Sequence, residues 1–332
     1  MSMTTRHLLL ATLSAALAPA ILVTACDEDT GGRSEAADAS SDAPPSVSEA
    51  GAIVDAAASD GGAGTTSFEL HFEGRVGAEP FSCGRTYAGF GTTSATVSAG
   101  DLRFFIHDIV LVRAGSGEEV PFALATNEWQ NPSVGLLDFE DHTGTCTSGT
   151  DGTNDVITGT APAGDYDGVR FTVGMPQPLN HVNVETAAPP LPASKLQWTW
   201  ANGFLHLSFE FRSNKTLELG DGGVKAMDPF YAHIGSTGCA GAVGTGGFTC
   251  ARPNRPRVSL SGFHPATSKI VVDGKALYTG SNLDDNAAGT VPGCMAAETD
   301  SDCPPMFERL GLDFVKGTPT GASPAIFSVE AR

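Results

Sequence analysis

Short runs that alternate apolar and polar residues are the feature that most restricts the fold of this chain. Residues 68–73 (Phe-Glu-Leu-His-Phe-Glu) alternate with the period of a half-buried β-strand. Residues 102–112 form a longer run of the same kind, with Phe105, His107 and Ile109 on one face. Further predicted strands cover residues 166–173, 205–211, 258–263 and 269–272.

Turn residues separate these runs, and helical periodicity is weak throughout. Segments rich in Gly, Pro, Asn and Asp, such as residues 115–117 and 162–165, lie between the predicted strands. Short helices are predicted only at residues 282–288 and 306–310. Many short strands with frequent turns predict an all-β domain, an antiparallel β-sandwich or a barrel-like structure with long loops.

The first 25 residues are typical of a secretory signal. Arg6 precedes an apolar run at residues 8–23, which is too short to favour a membrane-spanning helix. The run ends in Val-Thr-Ala-Cys, which resembles the lipobox of bacterial lipoproteins, so Cys26 is predicted to carry the lipid. An ordinary secretory signal with an incidental cysteine is the alternative. Either way we expect an exported protein. With the lipid it is anchored to the cell membrane or the outer membrane and faces the periplasm or the cell surface.

A polar, acidic tether is predicted between this signal and the folded domain. Residues 26–67 are mostly Ala, Ser, Gly, Pro, Asp and Glu and offer little apolar surface to bury, so we expect disorder there and one β domain at residues 68–332. The formal net charge of the chain is -19, which argues against nucleic acid as a partner because phosphate binding needs a basic face.

The cysteines predict a stapled domain. Of 7 Cys, Cys26 is assigned to the lipid, and the remaining six are predicted to form three disulfides, with fifteen pairings left open by the sequence. None occurs in a Cys-x-x-Cys motif, so neither a zinc ribbon nor thioredoxin chemistry is indicated. The six are Cys83, Cys146, Cys239, Cys250, Cys294 and Cys303.

Motifs for catalysis or calcium binding are weak. No Gly-x-Ser-x-Gly elbow is present. Asp138, Glu140 and Asp141 could serve a hydrolase that uses paired carboxylates, but nothing selects that chemistry. Acidic loops at residues 151–155 and 284–286 lack the spacing of an EF-hand and are better explained as solvated turns.

Three histidines are candidates for binding copper, which neutral imidazole suits well. His181 lies in a Pro-rich loop that can hold its ring rigidly, and His233 precedes a Gly-Ser-Thr-Gly-Cys turn. His107 lies in the middle of a predicted strand, where it could equally be a core residue. Taken singly, each is more simply explained as structural.

An ordered set of motifs runs through the chain from about residue 68 to the C-terminus. They are Asp101-x-Arg103-Phe104-Phe105, Trp129-Gln130 with Leu137-Asp138-Phe139-Glu140, Gly174-x-Pro176 with Leu179-Asn180-His181, Trp198-x-Trp200, His233-x-Gly235-Ser236-Thr237-Gly238-Cys239, and Cys294 followed by Asp302-Cys303. The motifs are weak individually but specific in this order, and together they resemble the MbnP-like family, the four-Cys partners of the metallo-mystery pair.

The resemblance implies an exported, β-rich protein that binds copper, expected as Cu(I), and is encoded beside a MauG-like di-heme partner of the cytochrome c peroxidase family. In characterised relatives that partner oxidises one Trp to kynurenine, which then binds copper together with histidine. Trp129 matches the modified residue and His181 the imidazole ligand. Trp198 and Trp200 are expected to be core aromatics.

One position departs from the family pattern. Some copper-binding relatives have a His two residues before the modified Trp, where this chain has Asn127, a poor ligand for copper(I). The implied site is therefore weakened, completed by His233 or His107, or used differently.

The leading hypothesis is thus a lipid-anchored copper-binding protein that is the substrate of an enzyme and not itself an enzyme. The alternative is a binding or display module that keeps the scaffold without a metal site, and a hydrolase is a remote third.

Overall fold

Two β-sheets pack face to face around an aromatic core. The computed structural model describes residues 64–199, 201–220, 222–241 and 247–332. The predicted signal, the predicted lipid-bearing Cys26 and nearly all of the acidic tether lie outside these residues.

The strands are β1 (Thr65–Val76), β2 (Glu79–Pro80), β3 (Thr86–Phe90), β4 (Ala95–Arg113), β5 (Glu119–Pro121), β6 (Ala123–Leu124), β7 (Gln130–Asn131), β8 (Val134–Asp138), β9 (Val156–Pro162), β10 (Tyr166–Val173), β11 (Gln197–Thr199), β12 (Gly203–Ser213), β13 (Thr216–Glu218), β14 (Val224–Ala226), β15 (Phe230–Gly235), β16 (Thr237–Ala240), β17 (Thr249–Arg252), β18 (Arg257–Ser261), β19 (Ser268–Asp273), β20 (Gly293–Cys294) and β21 (Phe327–Ala331).

Helix is sparse in the described residues. It comprises a 3-10 turn (Gln177–Leu179), α1 (Gly274–Leu277) and α2 (Cys303–Arg309). Asp273 caps α1 by accepting from the Lys275 N–H. In α2 two prolines follow Cys303, and the first turn tolerates them because the N–H that proline lacks would have no helical partner there. None of the described helices is long and apolar enough to cross a membrane.

The smaller sheet has the order β21-β19-β1-β9-β6, with β2 beside β1, and the larger sheet is built on the path β18-β10-β4-β12-β15-β20. Most pairings are antiparallel, but β1 pairs with β19 and β15 with β20 in parallel. Phe72 of β1 makes edge contacts with Phe104 of β4 and Phe171 of β10, so the core lies between the sheets. The described residues show no closed barrel, and the sandwich alternative is confirmed.

The period-two signal located the predicted strands correctly, since each lies wholly or mostly within an observed one. The structure begins β1 at Thr65, three residues before the predicted start of the domain. The helix predicted at residues 306–310 overlaps α2. The helix predicted at residues 282–288 is wrong, because side chains there capture the backbone groups that a helix needs. Asn282 Oδ1 accepts from the Asp284 N–H, and Asn286 donates to the carbonyl oxygens of Ala287 and Thr290.

The six cysteines of the domain form three disulfides, as predicted, and the structure supplies the pairing. Cys83–Cys146 closes a long loop with a sequence separation of 63, whereas Cys239–Cys250 and Cys294–Cys303 span 11 and 9 residues. Cys239 and Cys250 lie directly opposite each other on the β16–β17 hairpin.

Candidate metal centre

Trp129 lies at the end of a loop that a buried glutamine fixes to the smaller sheet. Gln130 is fully buried; its Nε2 donates to the carbonyl oxygens of Ala125 (2.9 Å) and Thr158 (2.6 Å), and its Oε1 accepts from the Thr158 N–H at 2.9 Å. The Trp129 N–H donates to Asn127 Oδ1 at 2.8 Å. The backbone of Trp129 is therefore held on both sides.

The indole of Trp129 is half-buried and packs on a second apolar cluster, separate from the main core. This second cluster consists of Phe105, Val134, Leu136, Met175, Leu191, Leu196, Phe204 and Leu205. Gly152 covers the ring: a Cβ there would lie 3.1 Å from Trp129 Cζ2. Trp198, expected to be a core aromatic, packs against the same cluster but is only partly buried, and Trp200 lies outside the described residues.

His181 follows the 3-10 turn, and its neighbours determine its tautomer. The buried Asn180 Oδ1 accepts from the Phe204 N–H at 3.1 Å, so the Asn180 amide nitrogen faces His181 Nε2 at 3.0 Å. Because an amide N–H can only donate, Nε2 must accept, and a neutral His181 carries its proton on Nδ1. Phe248 stacks on the ring at 4.3 Å between centroids, and Cys250 Sγ lies 3.4 Å from Nε2.

Trp129 and the residues that flank His181 pack on the same apolar cluster. Leu179 and Val182, on either side of His181, pack against the second apolar cluster together with Trp129. The His181 ring itself contacts Asn180, Phe248 and Cys250. Asn127, which occupies the position where some relatives have His, accepts the Trp129 N–H, so the backbone occupies its oxygen.

His233 is held by a carboxylate. Its Nε2 lies 2.8 Å from Glu210 Oε1, and its ring lies against Tyr231 at 4.7 Å between centroids. Since the carboxylate accepts, His233 Nε2 carries a proton and offers no lone pair in this arrangement.

His107 is buried in β4 beside a positive charge. It is 6% exposed, Asp108 Oδ2 lies 2.9 Å from Nδ1, and Nε2 has no hydrogen-bond partner among the described residues. Burial lowers the pKa of His107, and the Arg255 guanidinium lowers it further, while Asp108 opposes both. The guanidinium that disfavours a proton on this ring also disfavours a metal cation there.

His107 and His233 are too far apart to bind one ion together. In the larger sheet His233 lies in register with Ser208, which in turn pairs with Arg103, whereas His107 is four residues further along β4. At about 3.3 Å per residue and about 4.8 Å per strand, the two backbones are roughly 16 Å apart. At most one of them completes a site at His181.

Sequence reasoning passed over His206, which explains the Gly174-Met175-Pro176 motif. His206 is fully buried, and its Nδ1 accepts from the Met175 N–H at 3.0 Å. Gly174 has φ +128, and a Cβ there would lie 2.7 Å from His206 Cγ. Burial holds the pKa of His206 well below its ordinary value, so this ring is a neutral structural element.

Two of the three carboxylates of the remote hydrolase hypothesis, Asp138 and Glu140, lie near the buried Arg103, whereas Asp141 is exposed. Arg103 makes two hydrogen bonds with Asp101, of 2.7 and 2.6 Å, and donates to the Ser194 carbonyl oxygen at 2.7 Å. Asp138 and Glu140 are 2% and 0% exposed. Burial raises the pKa of Asp138 to about 8, despite the opposing charge of Arg103, and burial also raises the pKa of Glu140. Two carboxyls closed off from solvent fit a structural network and not a substrate site.

The acidic loops do not form a ready cation site where the structure gives their contacts. Asp284 accepts from Thr93 and Ser213 and pairs with Lys215 at 2.8 Å, so its oxygens are already used. Two groups of three potential ligand atoms lying within 4.8 Å of one another occur in the described residues. These are His181 with Cys239 and Cys250, and Glu140 with Cys83 and Cys146.

Comparison with known proteins gives two positive findings. The family model named MbnP matches residues 65–296. The solved structure of MbnP from Methylosinus trichosporium superposes with a TM-score of 0.69 at 32% sequence identity, over 81% of this chain and 99% of that one. No curated protein matches the chain.

Proposed function

The chain belongs to the MbnP family, and on this basis we propose that it is an exported, lipid-anchored protein that binds copper through His181 and a kynurenine formed from Trp129. The observation that carries the proposal is that Trp129 and the two residues flanking His181, Leu179 and Val182, pack on the same second apolar cluster. Trp129 is only partly buried, which leaves part of the residue open to a partner protein.

The modification supplies a metal-binding atom at residue 129, where unmodified tryptophan has none. The indole N–H of tryptophan is a donor only and does not ligate a metal. Cleavage of the indole C2–C3 bond by a peroxide-class oxidant inserts two oxygen atoms. Each of two peroxide molecules gives one oxygen atom to the indole, and the remainder of each leaves as water. Hydrolysis of the resulting N-formylkynurenine releases formate and leaves an aniline nitrogen beside a ketone. A MauG-like di-heme protein of the cytochrome c peroxidase family is the proposed partner for this oxidation.

The surroundings of His181 fit a copper ligand better than those of the other candidates. Its Nε2 carries the lone pair, and the stacked Phe248 holds the ring in place. His233 Nε2 is protonated toward Glu210, and Arg255 opposes a cation at His107. Copper(I) accepts two or three soft or borderline donors, so imidazole and kynurenine nitrogen form a sufficient minimal set.

We propose a binding role and not catalysis. Asp138 and Glu140, two of the three carboxylates that a hydrolase could use, are buried, so only Asp141 is exposed to a substrate. Export and anchoring at Cys26 place the domain outside the cytoplasm, on the periplasmic face or the cell surface.

Co-expression with the di-heme partner tests the proposal. Peptide mass mapping should find kynurenine at residue 129 only when the partner is active, and metal analysis should find copper in the modified protein. His181→Ala should retain the modification and lose copper, Trp129→Phe should lose both, and Trp198→Phe is the matched control that should keep both. If residue 129 stays tryptophan and copper is absent, the protein is a scaffold without a metal site, and the proposal is wrong.

A further inference from the structure

The disulfide of the β16–β17 hairpin lies against the same imidazole. Cys239 and Cys250 are both half-buried, and Cys250 Sγ is 3.4 Å from His181 Nε2. The three donor atoms of His181, Cys239 and Cys250 lie within 4.8 Å of one another. Ligand atoms bound to one ion at 2.0–2.3 Å are at most about 4.6 Å apart, so the group is already close to the span of a coordination shell.

The ring presents its lone pair, and not its proton, in this direction. Asn180 donates to Nε2 and leaves the proton of neutral His181 on Nδ1, so the nitrogen facing the sulfur is the one able to bind a metal. A metal there replaces the amide hydrogen bond of Asn180. Phe248, directly before β17 and two residues from Cys250, stacks on the imidazole with the two ring planes 12° apart. This stacking fixes the orientation of the imidazole.

We propose that reduction of the Cys239–Cys250 disulfide creates an alternative, redox-gated soft-metal site, in which two thiolates and His181 Nε2, the nitrogen that the kynurenine site also uses, bind copper(I). A dithiol-class reductant supplies two electrons and two protons, breaks the S–S bond to give two thiols, and becomes a cyclic disulfide. Copper(I) then displaces both thiol protons and forms two Cu–S bonds and one Cu–N bond. Thiolate sulfur and imidazole nitrogen are donors that copper(I) favours.

The hairpin stays anchored when the disulfide opens. Arg252 donates to Thr237 Oγ1 across the hairpin at 3.1 Å and to the Ala296 carbonyl oxygen at 2.8 Å. Pairs Thr237↔Arg252 and Ala240↔Thr249 flank the cysteines in the same ladder. The thiols of directly opposed residues therefore remain close after reduction.

The other two disulfides provide controls. Cys294 and Cys303 are fully buried within the main core. The sulfur atoms of Cys83 and Cys146 lie within 4.8 Å of a carboxylate oxygen of Glu140, which is a harder donor. Among the described residues, neither of these disulfides forms such a group with a histidine.

The site needs His181 but not Trp129, so it goes beyond the kynurenine site and can be tested without it. The experiment uses Trp129→Phe protein, reduced with a phosphine and titrated with copper(I) against a chromophoric copper(I) chelator. Reduction should add about one tightly held copper ion per chain. His181→Ala should weaken this binding by about tenfold or more. Cys239→Ser/Cys250→Ser should abolish it, and Cys83→Ser/Cys146→Ser should retain it.

A second readout uses wild-type cysteines and does not depend on how the serine variants fold. Reduced protein is alkylated with and without copper(I), and the modified peptides are quantified. Copper should protect Cys239 and Cys250 selectively. Equal alkylation in both samples, or a reduction-dependent copper gain that survives Cys239→Ser/Cys250→Ser, would overturn the proposal. Failure of Trp129 oxidation would leave these results unchanged, which separates the two proposals.

Discussion

The neutral Asp138 carboxyl predicts an unusual dependence of stability on pH. Asp138 is 2% exposed, and its Oδ1 accepts from the Glu140 N–H at 3.1 Å. Burial raises its pKa to about 8 in the folded protein. Replacement by asparagine keeps an oxygen for the Glu140 N–H and removes the titration, which makes Asp138→Asn the informative change.

The sign follows from the protons bound in each state. In the unfolded chain the Asp pKa is about 3.9, so between about pH 4 and pH 8 the folded carboxyl keeps a proton that the unfolded one has lost. The free energy of unfolding therefore falls as pH rises through this window, by about 1.4 kcal/mol per unit at most. Between pH 5 and pH 7 this amounts to on the order of 3 kcal/mol, and the raised pKa of Glu140 acts in the same direction.

Urea unfolding of wild type and Asp138→Asn, measured from pH 5 to pH 7.5, checks this reasoning. Below about pH 6.5 the buried histidines, whose pKa values are lowered, give an opposing slope in both proteins, so the difference between the two proteins is the quantity to measure. The variant should gain stability relative to wild type as pH rises. The exposed Asp155→Asn is the control and should run parallel to wild type. A difference that does not change with pH would refute the account.

Three further changes are expected to be destabilising in ways that unfolding measurements can rank. Gln130→Ala removes three buried hydrogen bonds and should cost about 3 kcal/mol, with faster amide exchange in the loop before Trp129. Arg103→Met leaves the Asp101 carboxylate buried without its cation and should cost about 3–5 kcal/mol. If the unpaired charge is the cause, the same substitution should lower the urea midpoint less in a protein that already carries Asp101→Asn. The Cys83→Ser/Cys146→Ser pair opens a loop with a sequence separation of 63 and should cost about 4 kcal/mol, and an unchanged melting temperature would contradict this.

The strands could be predicted because one physical rule governs them. A strand in a sandwich has one face in the core, so residues such as Leu70 and Phe72 of β1 alternate with more exposed neighbours. The helix predicted at residues 282–288 is wrong for a different reason: Asn and Asp are common both at helix caps and in turns. Which one forms depends on whether their side chains capture nearby backbone groups, and composition does not decide that.

The candidate site was only partly predictable for a related reason. The motif order predicts Trp129 and His181 as site residues, and this stays a prediction, but the roles of their neighbours depend on contacts between distant segments. Asn180 orients the imidazole only because the Phe204 N–H takes its oxygen. The spacing of the cysteines likewise left open that Cys250 would lie beside His181.

The family motifs divide into residues that build the scaffold and residues that remain able to react. Arg103 and Gln130 have their polar groups committed to buried partners, so their recurrence in the motifs is explained by folding. Trp129 and His181 differ because each is only partly buried and lies next to a buried residue, Gln130 or Asn180, that fixes its backbone or its ring. A motif residue that stabilises the fold needs burial, whereas one that is modified or binds a metal needs rigid support together with access. Trp129 and His181 meet the second condition and Arg103 and Gln130 do not, which is why we propose the metal chemistry at Trp129 and His181 and not at the more heavily charged network around Arg103.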